Sequence, residues 1–329
     1  MNIFLTSLLI SVLAAACIWL MGRRDPGGRP WLTVICLAVL LLLPALTLLP
    51  KWHIDLLGSV SSGGSAATST PWWLFAWGVG TGLMLLRILT NHLALRKWVS
   101  ESSVLNSESW KETLHQSAVM LGVRGLPELR MKTGLSSPVV TGLRSPVILM
   151  PHHASQWSVD TQKMAILHEL GHLQRKDLWV RCAADIACAL HWYNPLVWWM
   201  RAKLLSQCEY ACDAHVIVSG AHARDYVRAL CDVVENAISQ PEAAARPCGV
   251  CAMADHAPLK ARVARLIHGS SSGTPWLAAI AAALTTATAL GLTLVRPAII
   301  SEGGQSEPVE YSQKEIDLRH SANPFPGND

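Results

Sequence analysis

Apolar and polar positions are unevenly spread along this chain. Four runs are almost free of charge: Met1–Gly22, Trp31–Pro50, Pro71–Leu95 and Thr274–Val295. Each approaches the ~20 residues a helix needs to cross ~30 Å of hydrocarbon, so each predicts a membrane-spanning helix. The third carries Arg87 near its end, where the side chain can snorkel to the interface; a buried core helix is the competing reading, and it is strongest there. Between the third and fourth runs the pattern is mixed. Asn91–Leu121 reads as a helix continuing inward. Leu129–Lys132 and Pro138–Met150 read as strands, the second split by a Gly142-Leu143-Arg144 turn and limited by prolines. An exposed edge of that strand would offer backbone pairing to an extended peptide; an ordinary hairpin is the plainer alternative. Met164, Ile166, Leu167, Leu170 and Leu173 then cover nearly every side of one helix, the mark of a buried one. Its N-cap is Ser158 or Asp160. Asp177–Leu190, Leu204–Ser219 and Asp225–Ile238 are further helices, residues 239–256 are loop-like, and Leu259–Ile267 is a short basic amphipathic helix. The tryptophan-rich stretch His191–Trp199, broken by Pro195, suits either the bilayer surface or an aromatic core.

The fold class this predicts is mainly α: four transmembrane helices and a cytoplasmic α+β domain. The units are a three-span membrane unit (1–95), the domain (96–273), a fourth transmembrane helix (274–296) and a short external tail (297–329). Composition supports the membrane reading, because 15% of the 329 residues are charged where a soluble domain carries about 25%. Charge bias orients the spans. Arg23, Arg24 and Arg29 mark the first loop as cytoplasmic, Lys51 is the only Lys or Arg in the second, and Arg87, Arg96 and Lys97 mark the exit of the third span. Both termini are therefore expected outside a bacterial inner membrane. The first run is a poor signal peptide, since no Lys or Arg precedes its apolar core. Residues 96–273 hold 19 Lys and Arg against 15 Asp and Glu, an excess too mild for a nucleic-acid footprint. The segment 59–70 reads as a short external loop, and the polar tail as disordered. Of nine cysteines, seven fall in the cytoplasmic segment, where thiols stay reduced. Cys248 and Cys251 form a lone C-x-x-C without a partner pair, and Cys208 and Cys212 suit small core residues.

The buried helix contains His168-Glu169-Leu170-Gly171-His172. At 100° per residue, two histidines four apart project from one face and can grip one ion. Glu169 sits beside that face. From composition the pattern His-Glu-x-x-His is expected about 0.02 times by chance, so its presence inside a buried helix weighs against accident. The competing structural reading is a pair of core histidines bonded to backbone. Catalytic zinc takes three protein ligands, and Glu209 is the best candidate for the third, with His191, His215 and Asp177 as alternatives. Asp213, four residues from Glu209, could accept the free ring N–H of a ligating histidine. Zn2+ at His168, His172 and Glu209, with Glu169 as general base, amounts to metal-assisted peptide hydrolysis. His215, Tyr193 and Tyr226 are candidates for stabilising the oxyanion.

Several segments in order, Thr141-Gly142-Leu143-Arg144-Ser145-Pro146-Val147-Ile148-Leu149-Met150-Pro151, His168-Glu169-Leu170-Gly171-His172 with Arg175-Lys176-Asp177, Trp192-Tyr193-Asn194-Pro195-Leu196-Val197-Trp198 and Glu209-Tyr210-Ala211-Cys212-Asp213, resemble the membrane metallopeptidases of the beta-lactam sensor/signal-transducer (BlaR/MecR-like) type. The Glu-x-x-x-Asp spacing resembles the third-ligand motif of gluzincins. The resemblance implies a zincin-like (gluzincin) metalloprotease domain and an integral membrane zinc metalloendopeptidase in transmembrane signalling. It implies cleavage of the chain itself or of a cytoplasmic transcriptional repressor, for example of winged-helix type. It places the chain among proteins that regulate antibiotic response. Partners are then a protein substrate, the lipid bilayer and a second copy of the chain, with no direct contact to nucleic acid. One departure is expected to matter: about thirty residues follow the fourth span, and Ser301, Ser306, Ser312 and Ser321 each lack the Ser-x-x-Lys spacing of an acylated serine, so direct beta-lactam sensing is not expected of this chain. The alternative function is a non-catalytic zinc-binding receptor or scaffold that signals by conformation. A transporter ranks last, because the four runs carry almost no ionisable residue.

Overall fold

The structure is a computed structural model that describes residues 3–24, 30–46, 52–54, 72–239, 251–252, 259–268 and 275–297. The predicted loop 59–70, Cys248 and the tail beyond residue 297 lie outside the described residues. The chain is mainly helical with two small sheets.

Four apolar helices coincide with the four uncharged runs: α1 (Ile3–Arg24), α2 (Pro30–Leu46), α3 (Trp72–Ser100) and α10 (Pro275–Leu294). Helices α1, α2 and α10 pack together, burying Ile10, Ala14, Leu37, Leu40 and Ala289. Among the described residues, only α3 is long and apolar enough to cross a membrane; the apolar stretches Phe4–Leu20, Trp31–Leu46 and Ala279–Gly291 are shorter. Outer faces are nonetheless apolar. Leu5, Leu8 and Leu9 of α1 and Phe75, Val79 and Leu83 of α3 are all exposed, and contiguous apolar surface of this kind marks an interaction with membrane or protein. The strand after α2, β1 (Trp52–Ile54), pairs in parallel with the strand after α10, β7 (Val295–Pro297). The C-terminal ends of α2 and α10 therefore lie at one end of the bundle.

The helix predicted over 91–121 is in fact two, and this corrects the sequence reading. Helix α3 stops at Ser100, β2 (Ser103–Val104) intervenes, and α4 (Glu108–Leu121) follows. The cause is tertiary. Arg130 Nη1 donates to the carbonyls of Val99 (3.0 Å) and Ser102 (3.2 Å), and β2 pairs with β3 (Glu128–Lys132), so this strand takes backbone groups a continuous helix would have used. The stretch 138–151 is a hairpin of β4 (Val139–Thr141) and β5 (Val147–Pro151), and β5 pairs in parallel with β3. All eight residues of β4 and β5 are buried, as expected of strands covered on both faces. The outer edge of β4 carries β6 (Cys251–Ala252), antiparallel, with Val140 opposite Cys251.

Behind the sheet stand α5 (Val159–Gln174), α6 (Asp177–Leu190), α7 (Pro195–Val218), α8 (Ala223–Ser239) and α9 (Leu259–His268). The predicted break at Pro195 is the first turn of α7, where proline loses nothing because its missing N–H would be unsatisfied anyway; Asn194 caps that turn through Leu196 N (3.1 Å). The helix then runs unbroken to Val218. The tryptophan-rich stretch joins the body to the apolar helices: Trp77 Nε1 donates to Leu190 O (2.9 Å), and Phe4 sits edge-on to Tyr193.

Candidate metal centre

Helix α5 begins at Ser158, whose hydroxyl accepts from Thr161 N (3.2 Å), and that choice settles the N-cap. Ile166 and Leu170 face a core shared with β5 and α4, whereas Leu167 faces one built with α7 and α8. The helix is thus enclosed, and His168, Glu169 and His172 are fully buried. Gly171 lets α7 come close, since a Cβ there would lie 3.2 Å from Cys212 Sγ. That approach brings Glu209 over both histidines. Its Oε2 is 3.4 Å from His168 Nε2, and its Oε1 is 3.5 Å from His172 Nε2.

His168 Nε2, His172 Nε2 and Glu209 Oε2 are buried without a hydrogen-bond partner, and so are both carboxylate oxygens of Glu169. Buried polar atoms are rarely left so, and each costs roughly 1–3 kcal/mol. The three residues His168, His172 and Glu209 can offer ligand atoms all within 4.8 Å of one another. Two imidazoles and a carboxylate suit zinc, and an ion there would satisfy all three orphan atoms. The residues present therefore fit a metal. A second group, His172, Asp177 and Cys212, is also close enough. There the atoms already satisfy one another: His172 Nδ1 lies 3.0 Å from Asp177 Oδ2 and 3.3 Å from Cys212 Sγ, and burial pushes the thiol well up, away from the thiolate a metal would need.

The far side of each imidazole is held. His168 Nδ1 lies 3.0 Å from Tyr226 Oη and 3.3 Å from Asp213 Oδ1, and Tyr226 Oη donates to Asp213 Oδ1 (2.7 Å). His172 Nδ1 faces Asp177 because the chain reverses between α5 and α6 at Lys176, which takes a left-handed φ of 59°. Such bonds orient an imidazole and direct its Nε2.

Burial alone would raise both carboxyls of α7. For Glu209 the closely placed His168 ring and the charges of His172 and Arg262 outweigh it and leave the pKa at about 2. For Asp213 the Arg262 guanidinium outweighs it and holds the carboxyl well below its ordinary range. Burial likewise disfavours a charged His168, but the adjacent carboxylates of Asp213 and Glu209 lift it to about 9. Without an ion, a proton on His168 supplies the positive charge the carboxylates require. Glu169 goes the other way: burial raises its carboxyl, and the two histidines only partly offset this.

Arg262 is the residue that sequence reasoning missed. It is buried on α9, donating through Nε to Asp213 Oδ2 (2.8 Å) and through Nη2 to Asp213 Oδ1, with Nη1 3.4 Å from Glu209 Oε2. Its signal was a lone charge inside the stripe Leu259, Arg262, Val263, Leu266, where an amphipathic helix carries apolar side chains.

Other residues weighed in the sequence lie elsewhere. His191 donates through Nε2 to Leu40 O of α2 (2.9 Å) and faces Tyr193 Oη through Nδ1 (3.3 Å), so both ring nitrogens are engaged away from the metal centre. Tyr193 Oη, one of the oxyanion candidates, lies 2.8 Å from Ser7 Oγ on α1. Tyr226, another of those candidates, backs His168 at Nδ1, on the side away from Nε2. Asp177 orients His172 through Nδ1, away from the face that Glu209 covers. His215 lies beside Gly171 with Nδ1 buried and without a partner, and burial together with the charge of Arg175 lowers its pKa.

Residues 59–266 match the sequence profile of the family described as BlaR1 peptidase M56. The chain is also 26% identical over 167 residues to the Regulatory protein BlaR1 of Bacillus licheniformis, a match covering 51% of this chain and 28% of that protein. The chain thus matches little more than a quarter of this relative's length.

Proposed function

The chain belongs to the BlaR1 peptidase M56 family, and from that premise we propose an integral membrane zinc metalloendopeptidase that cleaves itself or a cytoplasmic transcriptional repressor within a transmembrane signalling pathway. The observation that carries this reading is the convergence of three orphaned, buried donor atoms from two helices beside an equally orphaned Glu169. His168, His172 and Glu209 would hold the ion. Zinc bound there supplies Lewis acidity toward a peptide carbonyl and acidifies water. Glu169, its carboxyl raised by burial, takes a proton on its carboxylate from the attacking water and returns it to the leaving amine. Asp213, Tyr226 and Asp177 keep both rings oriented through their Nδ1 atoms, and Arg262 holds the charge of Asp213 and Glu209 in a water-poor site.

Strand β4 supports a peptide substrate. Its outer edge pairs with Cys251–Ala252 of the chain's own 240–258 connection, a backbone mode by which an extended segment is gripped. The same pairing favours the chain itself as one substrate. Four membrane spans, a zincin-like (gluzincin) domain facing the cytoplasm and termini outside make up the topology we favour. The parallel pairing of β1 with β7, which sets the ends of α2 and α10 together, is what that topology requires.

The test is Glu169→Gln in the full chain, expressed alone and together with a candidate cytoplasmic repressor. Loss of fragments from both proteins, with zinc content unchanged, supports the reading. Fragmentation equal to wild type refutes proteolysis by this site.

A further inference from the structure

We propose that a cavity between α3, α6 and α7 binds the phosphate headgroup of an anionic phospholipid. Helix α3 meets the body closely at one level, where Gly80 lies so near the Trp192 ring that any Cβ would overlap it. Further along α3 the space between them is a cavity of 190 Å³. A buried water needs ~10–15 Å³ on the same measure, so the cavity admits a much larger group. Arg87, Ile88, Asn91 and Leu95 of α3 line one wall at helical spacing, and Arg181 of α6 and Arg201 of α7 line the other. A neighbouring cavity of 480 Å³ shares His92, Leu95 and the Thr141–Leu143 turn, and adds Arg96 and Arg144. Five arginines thus line two neighbouring cavities, and among the described residues that line them the one carboxylate is Asp185, ion-paired to Arg201.

Arginine forks match phosphate oxygens in pairs, so the chemistry selected is a phosphate diester or monoester. Two observations select a lipid. Arg87 is the first charge after the uncharged stretch 72–86 of α3, the depth at which hydrocarbon gives way to headgroups. On the hydrocarbon side of Arg87, α3 exposes Leu83 and Leu86, a surface for acyl chains. Basic pockets beside membrane helices recognise acidic headgroups in this way. A bound lipid would tie α3 to the body that carries the metal centre. The proposal rests on α3 crossing the membrane and is independent of proteolysis.

The experiment uses the full chain, delipidated in neutral detergent and titrated with phosphatidylglycerol, phosphatidylcholine or inorganic phosphate while tryptophan fluorescence is followed; Trp179 and Trp198 line the cavities. The expected result is saturable binding of phosphatidylglycerol alone, weakened about tenfold or more by Arg87→Gln with Arg201→Gln and unchanged by Arg224→Gln. If the double variant does not fold, Arg87→Gln alone carries the comparison, since Arg87 is exposed. Equal affinity in variant and wild type overturns the site. Equal response to phosphatidylcholine, or to inorganic phosphate, overturns the assignment to an anionic lipid. Membrane fractionation of wild type separately tests the span: protein absent from the membrane fraction refutes that premise whatever the titration shows.

Discussion

Replacing Arg262 by Met removes the guanidinium that bridges both carboxylates of α7. Asp213 would lose both guanidinium bonds and Glu209 its nearest arginine. Methionine fills similar volume, so the change reports on charge more than on packing. Breaking a buried, hydrogen-bonded ion pair by removing one partner costs ~3–5 kcal/mol, because the remaining charge stays buried and uncompensated. For a body of this size that is a fall in melting temperature of roughly 6–20 °C, read by tryptophan fluorescence in detergent. The loss should depend on pH with a definite sign. In the wild type both carboxyls titrate below their ordinary values, so their contribution is present above the unfolded pKa and fades as pH falls through about 2 for Glu209. In the variant they accept protons at higher pH, which relieves the uncompensated charge. The gap between variant and wild type should therefore be larger at pH 7 than at pH 4. Arg262→Lys should recover part of the loss, since one ammonium cannot reproduce the fork. A fall under about 1 kcal/mol at pH 7, the worth of a surface pair, would refute the reasoning.

Four further outcomes are expected. The metal-free protein should lose roughly 3 kcal/mol as pH rises from 6 through about 9, because His168 is held protonated to about 9 and the stability of a raised group is fully present only below its unfolded pKa; a melting-temperature profile in chelator measures this. Zinc binding at pH 7.5 should release close to one proton per ion, read by calorimetry in buffers of different ionisation enthalpy. Asp177→Asn should leave the fold intact and weaken zinc binding about 10–100-fold, as loss of a bond that orients a ligating imidazole does, followed by competition with a chromogenic chelator. Lys176→Gly should stabilise the protein by up to about 1 kcal/mol, because φ of 59° is strained for lysine and free for glycine; an unchanged or lower melting temperature contradicts that.

The local patterns were legible where one physical cause dominates. An apolar coat on every side announced the burial of α5, and a spacing of four placed His168 and His172 on one face. The same spacing placed Glu209 and Asp213 together on α7, and the structure sets one against the His168 Nε2 atom and the other against Nδ1. What escaped depended on distant partners. The break of α3 at Ser100 follows from Arg130 reaching back some thirty positions, which no local propensity reports. Tyr193 and Tyr226 looked equivalent as sequence, yet one packs on α1 and the other behind His168. The sequence marks Arg262 only as one charge of a short basic amphipathic helix; its place in the apolar stripe signals burial, but not that two acids from α7 lie against it.

The most direct test of the metal centre is zinc content per chain in the purified full-length protein and two variants. The account predicts one zinc in wild type and in Glu169→Gln, and loss of that zinc in Glu209→Gln under the same dialysis. Wild type without stoichiometric zinc, or Glu209→Gln holding the ion as firmly as wild type, would contradict it.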